Sequence, residues 1–196
     1  MKRKIAIYSG SFNPIHQGHL KLAADFLSQQ LADELWFVVS PKNPLKNQPD
    51  MLDEYLRLDM VILAIQGYDG MKASDVEFDM PVPSYSIDTL RKLTLQFPDF
   101  SFSLLIGSDN AVIFDQWKDF SEILSDFPVW VYPRKGYPLE EALQRFPAMQ
   151  ALSTPFYDIS STEIREAIRR GEIPAEWLHP SVADFIRENE LYLNDL

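Results

Sequence analysis

Apolar and polar positions along the chain switch period several times. Lys4-Ile5-Ala6-Ile7-Tyr8, Leu35-Trp36-Phe37-Val38-Val39, Phe102-Ser103-Leu104-Leu105-Ile106 and Phe127-Pro128-Val129-Trp130-Val131 are short, nearly continuous apolar runs and read as buried strands. Between them, apolar residues recur at helical spacing: Leu20, Ala23, Ala24, Leu27 and Leu31; Leu52, Leu56, Met60 and Leu63; Ile87, Leu90, Leu93 and Phe97. Strands alternating with helices predict βαβ units and a parallel sheet of five or six strands covered on both faces, a doubly wound α/β domain of the Rossmann-like kind. Trp36 and Trp130 fall within strand patterns and are expected in the core.

The C-terminal part reads as helical additions to this sheet, from about residue 158 to 196, within one domain spanning 1–196. Ile159-Ser160-Ser161-Thr162-Glu163-Ile164-Arg165 opens one helix: Ser160 and Glu163 have capping-box spacing, and Gly171 is a suitable stop. Trp177-Leu178-His179-Pro180 leads into a last helix from about Ser181 to Glu190. Three loops leave the carboxyl edge of the sheet, where open α/β folds bind ligands. They are the proline-rich segment Pro41–Asp50, Met80-Pro81-Val82-Pro83-Ser84-Tyr85-Ser86, and Gly107-Ser108-Asp109-Asn110.

Composition narrows the function classes. The chain has 196 residues, with hydrophobic content 46% and charged content 24%, as in an ordinary globular protein. No run approaches the ~18 consecutive apolar residues of a membrane span, and no signal-peptide pattern opens the chain. The absence of cysteine excludes disulfides and thiolate metal sites, so a cytoplasmic protein is expected. A net charge of -11 argues against nucleic acid as a partner. It leaves a small phosphorylated ligand open, because a few cations in one cleft can hold it. Whether the chain forms a homo-oligomer is not written in the sequence.

The first strand runs into Ser9-Gly10-Ser11-Phe12-Asn13-Pro14-Ile15-His16-Gln17-Gly18-His19-Leu20 and then into a helix. Two histidines three residues apart thus share one face at a helix N-terminus, where unpaired N–H groups and the helix dipole favour anions. The turn has neither the glycine spacing of a dinucleotide fingerprint nor the Gly-Lys-Ser/Thr of a P-loop. A zinc pair is an alternative; with His179 the sole further histidine, it would need carboxylate ligands. As a phosphate site, the imidazoles would donate hydrogen bonds and, if protonated, supply positive charge.

The His16-Gln17-Gly18-His19 segment, with Gly10-Ser11-Phe12-Asn13-Pro14-Ile15 before it, resembles the H-x-G-H signature of the nucleotidyltransferase superfamily. Ile159–Arg165 resembles its second signature, I-S-S/A-T-x-I-R. Within the superfamily the chain is most similar to bacterial nicotinate-nucleotide adenylyltransferases, with further matches at Pro83–Leu90, Ile106–Asp109, Trp117 and Pro133-Arg134-Lys135-Gly136-Tyr137. It departs from the usual family pattern at Asn13, commonly aspartate, and at Asn43-Pro44-Leu45-Lys46, where only the lysine of a Pro-Pro-His-Lys loop is kept.

The resemblance implies transfer of AMP from ATP to nicotinate mononucleotide, giving deamido-NAD and pyrophosphate. His16, His19, Lys46 and Arg165 would be the catalytic residues. Gly10, Ser11, Phe12, Gly18, Gly107, Asp109, Ser160 and Ser161 would bind ATP. Tyr85, Ser86, Trp117 and Arg134 would bind the mononucleotide, with Trp117 stacking on the pyridine ring. Mg²⁺ would bridge the ATP phosphates without direct protein ligands. The rival readings are nicotinamide mononucleotide or phosphopantetheine as acceptor, an NAD-dependent oxidoreductase on a similar sheet, and a non-catalytic nucleotide-binding regulator.

Overall fold

The computed structural model describes residues 2–41 and 51–193. In chain order the elements are β1 (Arg3–Gly10), α1 (Gln17–Ser28), β2 (Glu34–Val39), α2 (Glu54–Ala64), β3 (Met71–Ser74), α3 (Ser86–Gln96) and β4 (Phe100–Gly107). Then come α4 (Ser108–Ala111), a 3₁₀ turn (Phe114–Gln116), α5 (Phe120–Asp126), β5 (Val129–Tyr132), α6 (Leu139–Arg145), β6 (Gln150–Ala151), α7 (Ser161–Arg169) and α8 (Pro180–Glu188). Among the described residues the strands form one six-stranded sheet in the order β3-β2-β1-β4-β5-β6, with every pairing parallel. The order reverses between β1 and β4. Their carboxyl ends therefore diverge into a crevice, the place where such sheets bind ligands.

Side-chain alternation explains why both faces are apolar. On β1, Ala6 and Tyr8 join Phe26, Phe37 and Leu105 on one face, while Ile5 and Ile7 join Leu104, Ile106 and Val131 on the other. The first face is closed by α1, α2, α7 and α8, which contribute Leu20, Met60, Ile164 and Ile186. The second is closed by α3, α5 and α6 through Leu90, Ile123 and Ala142. The C-terminal helices therefore share the core of the sheet. No helix among the described residues is long and apolar enough to cross a membrane.

The apolar periodicity missed β3 and β6, because β3 is short and half polar and β6 has two exposed residues at the sheet edge. Trp36 is buried as expected, its Nε1 donating to Glu34 at 2.7 Å. Trp130 is only half-buried: it meets Phe26 edge-on at 5.9 Å on a strand flanked by the two-residue β6. At α7, the Ser160 hydroxyl accepts from the Thr162 N–H (3.2 Å), while Glu163 is exposed and closes no box. The helix stops at Gly171, with φ +81°. Its N–H donates to the Ile168 carbonyl (2.8 Å) and that of Glu172 to Ala167 (3.0 Å), the paired bonds of a Schellman cap.

Candidate functional site

The loop between β1 and α1 turns because Phe12 takes a left-handed φ of +46° and buries its ring. A Cβ at Gly10 would stand 2.9 Å from that ring, so only glycine allows the strand to pass so close. His16 is the N-cap of α1, and its N–H donates to His19 Nδ1 at 3.2 Å. That bond makes Nδ1 of His19 the acceptor and leaves Nε2 as the N–H donor of the neutral ring. The two imidazoles stack, with centroids 3.7 Å apart and planes 23° apart. Burial, reinforced by the charge of Arg134, lowers His16 to a pKa of about 3. His16 is therefore neutral here, and the positive charge expected of a protonated imidazole does not come from it.

The underside of this loop is held by groups from distant parts of the chain. Arg165 Nη1 donates to the Asn13 carbonyl (2.9 Å) and Ser161 Oγ to that of Pro14 (3.0 Å). Asn13 Oδ1 accepts from the Leu52 N–H (3.3 Å) and the Tyr192 hydroxyl (2.8 Å), so this side chain serves the loop's own structure. Fully buried Arg57 donates to the carbonyls of Ser11 (2.6 Å), Ser40 (2.9 Å), Leu52 (2.9 Å) and Pro41 (3.3 Å). Sequence reasoning missed Arg57; the signal was an arginine on the helical stripe of Met60, Val61 and Ala64.

Beside the loop lies a cavity of about 350 Å³ floored by Gly10 and Gly107 and walled by Tyr85, Ser86, Trp117 and Glu77. Trp117 is half-buried against Phe114 (centroids 4.9 Å) and its buried Nε1–H has no protein partner. The Ser9 hydroxyl at the end of β1, also on this cavity, is likewise buried and unpartnered. Tyr85 caps α3 and Ser86 begins it, so the first N–H groups of that helix open toward the cavity rim. Lys118 Nζ sits 5.2 Å from the Tyr85 ring and is paired with Asp88 at 2.7 Å. Glu77, only 3% exposed, was not anticipated, since it belongs to no periodic segment. Its carboxylate accepts from Ser84 (2.5 Å) and Thr89 (2.9 Å) on either side of the α3 start.

A narrow second cleft is lined by His16, Gly18, His19, Tyr157, Ile159 and Arg134. Arg134, expected with the mononucleotide residues, thus stands on the histidine side. Its Nε lies 3.8 Å from Asp109 Oδ1. A Cβ on Gly107 would meet Arg134 Cγ at 2.8 Å and Tyr132 Cζ at 3.2 Å, and would also run into Asp109. At Gly18 a Cβ would meet the His16 ring at 3.0 Å. The structure therefore gathers Gly10, Gly18, His16, His19, Gly107, Tyr85, Ser86, Trp117, Asp109 and Arg134 at one rim. Ser11, Phe12, Ser160, Ser161 and Arg165 lie in the layer beneath it, lining neither opening. Lys46, with Lys42, lies outside the described residues. Among the described residues, no group of three or more His, Asp or Glu side chains is arranged to hold a metal ion.

Known proteins resemble this chain over most of its length. The cytidylyltransferase-like family model matches residues 7–167. A probable nicotinate-nucleotide adenylyltransferase of Bacteroides fragilis is 46% identical over 181 residues, covering 92% of this chain and 90% of the relative. A protein of the same name from Bacteroides thetaiotaomicron is 43% identical over 188 residues, covering 95% and 92%. The solved Plasmodium falciparum nicotinic acid mononucleotide adenylyltransferase, complexed with NaAD, superposes with a TM-score of 0.81 at 22% identity, covering 97% of each chain, and so shares the fold.

Proposed function

The chain belongs to the cytidylyltransferase-like family, among the nicotinate-nucleotide adenylyltransferases, and from that premise we propose how its site transfers AMP from ATP to nicotinate mononucleotide. A 5′-phosphate oxygen of the mononucleotide attacks the α-phosphorus of ATP in line. The bond from that phosphorus to the α,β-bridging oxygen breaks, and pyrophosphate leaves with the bond pair. The attacking phosphate is already ionised at neutral pH, so no protein base is needed. The work is alignment and charge stabilisation.

His19 donates from Nε2 to an α-phosphate oxygen, and neutral His16, stacked against it, fixes that ring and faces the β-phosphate. Arg134 supplies positive charge from the histidine side rather than from the acceptor cavity. Lys46 and Arg165 serve the departing pyrophosphate, Lys46 by charge and Arg165 from beneath the turn, where its Nη1 holds the Asn13 carbonyl. Gly10, Ser11, Phe12 and Gly18 shape the phosphate turn, Ser160 and Ser161 the start of α7, and Gly107 and Asp109 the ribose side. Tyr85, Ser86 and Trp117 receive the nicotinate ring, its carboxylate at the α3 N-terminus and its face on the indole. A divalent cation, Mg²⁺ in this reading, would come with ATP and supply positive charge to its phosphates without direct protein ligands, beside His16, His19 and Lys46. The whole of 1–196 acts as one domain, with 158–196 a helical extension of it, and the reaction is cytoplasmic.

The observation that carries this reading is the pair of stacked histidines at a helix start, beside a cavity floored by glycine and walled by Trp117. Incubating the protein with ATP, Mg²⁺ and nicotinate mononucleotide should release pyrophosphate and deamido-NAD in equal amounts. Mass spectrometry showing no deamido-NAD, or faster turnover with nicotinamide mononucleotide or phosphopantetheine, would overturn it.

A further inference from the structure

Tyr8, on β1, and Tyr132, on β5, line both the acceptor cavity and the histidine cleft, and no other described residue lines both. Their hydroxyls are 3.3 Å apart across the carboxyl edge of the sheet, with ring centroids 5.9 Å apart and nearly perpendicular. The Tyr8 ring also meets the His19 ring at 6.0 Å, and the tip of Tyr132 lies over Gly107, within 3.2 Å of where a Cβ would stand. If the mononucleotide occupies the larger cavity and the ATP phosphates face the histidines, the attacking and attacked phosphates meet where these two hydroxyls stand.

Packing alone does not account for them. Phenylalanine would fill the same volume at either position without bringing a polar atom into the sheet edge. Two hydroxyls sharing one hydrogen bond leave one O–H hydrogen over, and no other described group accepts it. Burial raises the pKa of both phenols, so each keeps its proton at neutral and mildly alkaline pH. An O–H donor already aimed at the point where a phosphoryl group passes costs little reorganisation during the reaction.

We propose that the hydroxyls of Tyr8 and Tyr132 are catalytic hydrogen-bond donors, which part from each other to bind the non-bridging oxygens of the α-phosphoryl group as it moves between the two openings. This rests on the adenylyl-transfer reading, from which the residues' position at the junction takes its meaning. Neither hydroxyl forms or breaks a covalent bond or gives up its proton; each exchanges its tyrosine partner for phosphate oxygen.

Y8F, Y132F and the double variant, each in the full chain, test this through steady-state kinetics with ATP and nicotinate mononucleotide alongside thermal unfolding. Loss of a preorganised transition-state donor should lower kcat roughly 10- to 100-fold in each single variant. Both KM values should stay within about threefold, and Tm should be unchanged or raised, since a leftover polar hydrogen is removed. A double variant falling short of the product of the single losses would reflect the shared hydrogen bond. Wild-type kcat in both single variants, or a kcat loss explained by a matching fall in folded protein, would overturn the proposal. A wild-type chain inactive on ATP and nicotinate mononucleotide would instead refute the function on which it rests, so the two failures are distinguishable.

Discussion

Replacing Gly18 with alanine isolates the geometry of the histidine pair from its chemistry. The new Cβ would stand 3.0 Å from both Cε1 and Nδ1 of the His16 ring, where ordinary contact begins near 3.4 Å. The ring must therefore yield by a few tenths of an ångström. The ring is stacked on that of His19 with centroids 3.7 Å apart, so the displacement passes into the pair. A misplacement of about 1 Å at a reacting centre costs on the order of 100-fold, so this smaller shift should lower kcat roughly tenfold. Stability should move the other way or not at all. Gly18 sits inside α1 without a positive φ, and glycine-to-alanine in a helix is worth about 0.5–1 kcal/mol, part of it spent on the crowded ring. The assay is pyrophosphate release at saturating ATP and mononucleotide, paired with thermal unfolding. A folded Gly18→Ala protein with kcat within about twofold of wild type would refute the claim that the histidine pair sets the rate.

Other consequences follow from the same site. His19→Ala removes the Nε2 donor and should depress kcat by at least ~10²-fold in the pyrophosphate assay with the fold intact, as circular dichroism would confirm. His16 titrates near 3 in the folded chain but near 6.5 when unfolded, so between those values the unfolded state binds the extra proton. Its contribution to stability is complete above about pH 6.5 and is lost as pH falls, by about 2 kcal/mol between pH 6 and 4.5. Urea titrations of wild type and His16→Asn at those two pH values should differ by that amount, and parallel curves would refute the buried neutral imidazole. Glu77→Ala frees Ser84 and Thr89 around the α3 start and should raise KM for the mononucleotide about tenfold while leaving KM for ATP within twofold. Equal changes in the two KM values would show Glu77 to be merely structural.

The strands and helices that carry the site were legible because burial on two faces imposes a simple pattern. β1 and β2 are apolar throughout their central residues and β4 is so but for Ser103, and α1 and α3 show helical spacing. The histidine turn was legible because it is local: Gly10, His16, Gly18 and His19 sit within one strand–turn–helix unit. What escaped notice depends on contacts distant in sequence. Tyr8 reads as one more apolar strand residue until β5 brings Tyr132 to it, 124 positions away. Glu77 belongs to no periodic segment, and its place at the site follows only from the fold, in which Ser84 and Thr89 donate to its carboxylate. Arg165 marked a functional region by its motif, yet its bond to the carbonyl of Asn13, 152 residues earlier, follows only from the fold. Arg134 shifts from the acceptor side to the histidine side because the turn after β5 is pinned by Ser108. That hydroxyl accepts from the Arg134 N–H (2.9 Å) and donates to the Tyr137 carbonyl (2.8 Å).

A crystal structure with nicotinate mononucleotide and a non-hydrolysable ATP analogue bound together tests the two-opening arrangement most directly. The account predicts the pyridine ring on Trp117, its carboxylate at the Tyr85–Ser86 helix start, and the α-phosphate within hydrogen-bond distance of His19 Nε2. The attacking phosphate should enter past Tyr8 and Tyr132. A pyridine ring in the histidine cleft, or triphosphate density away from both histidines, would contradict it.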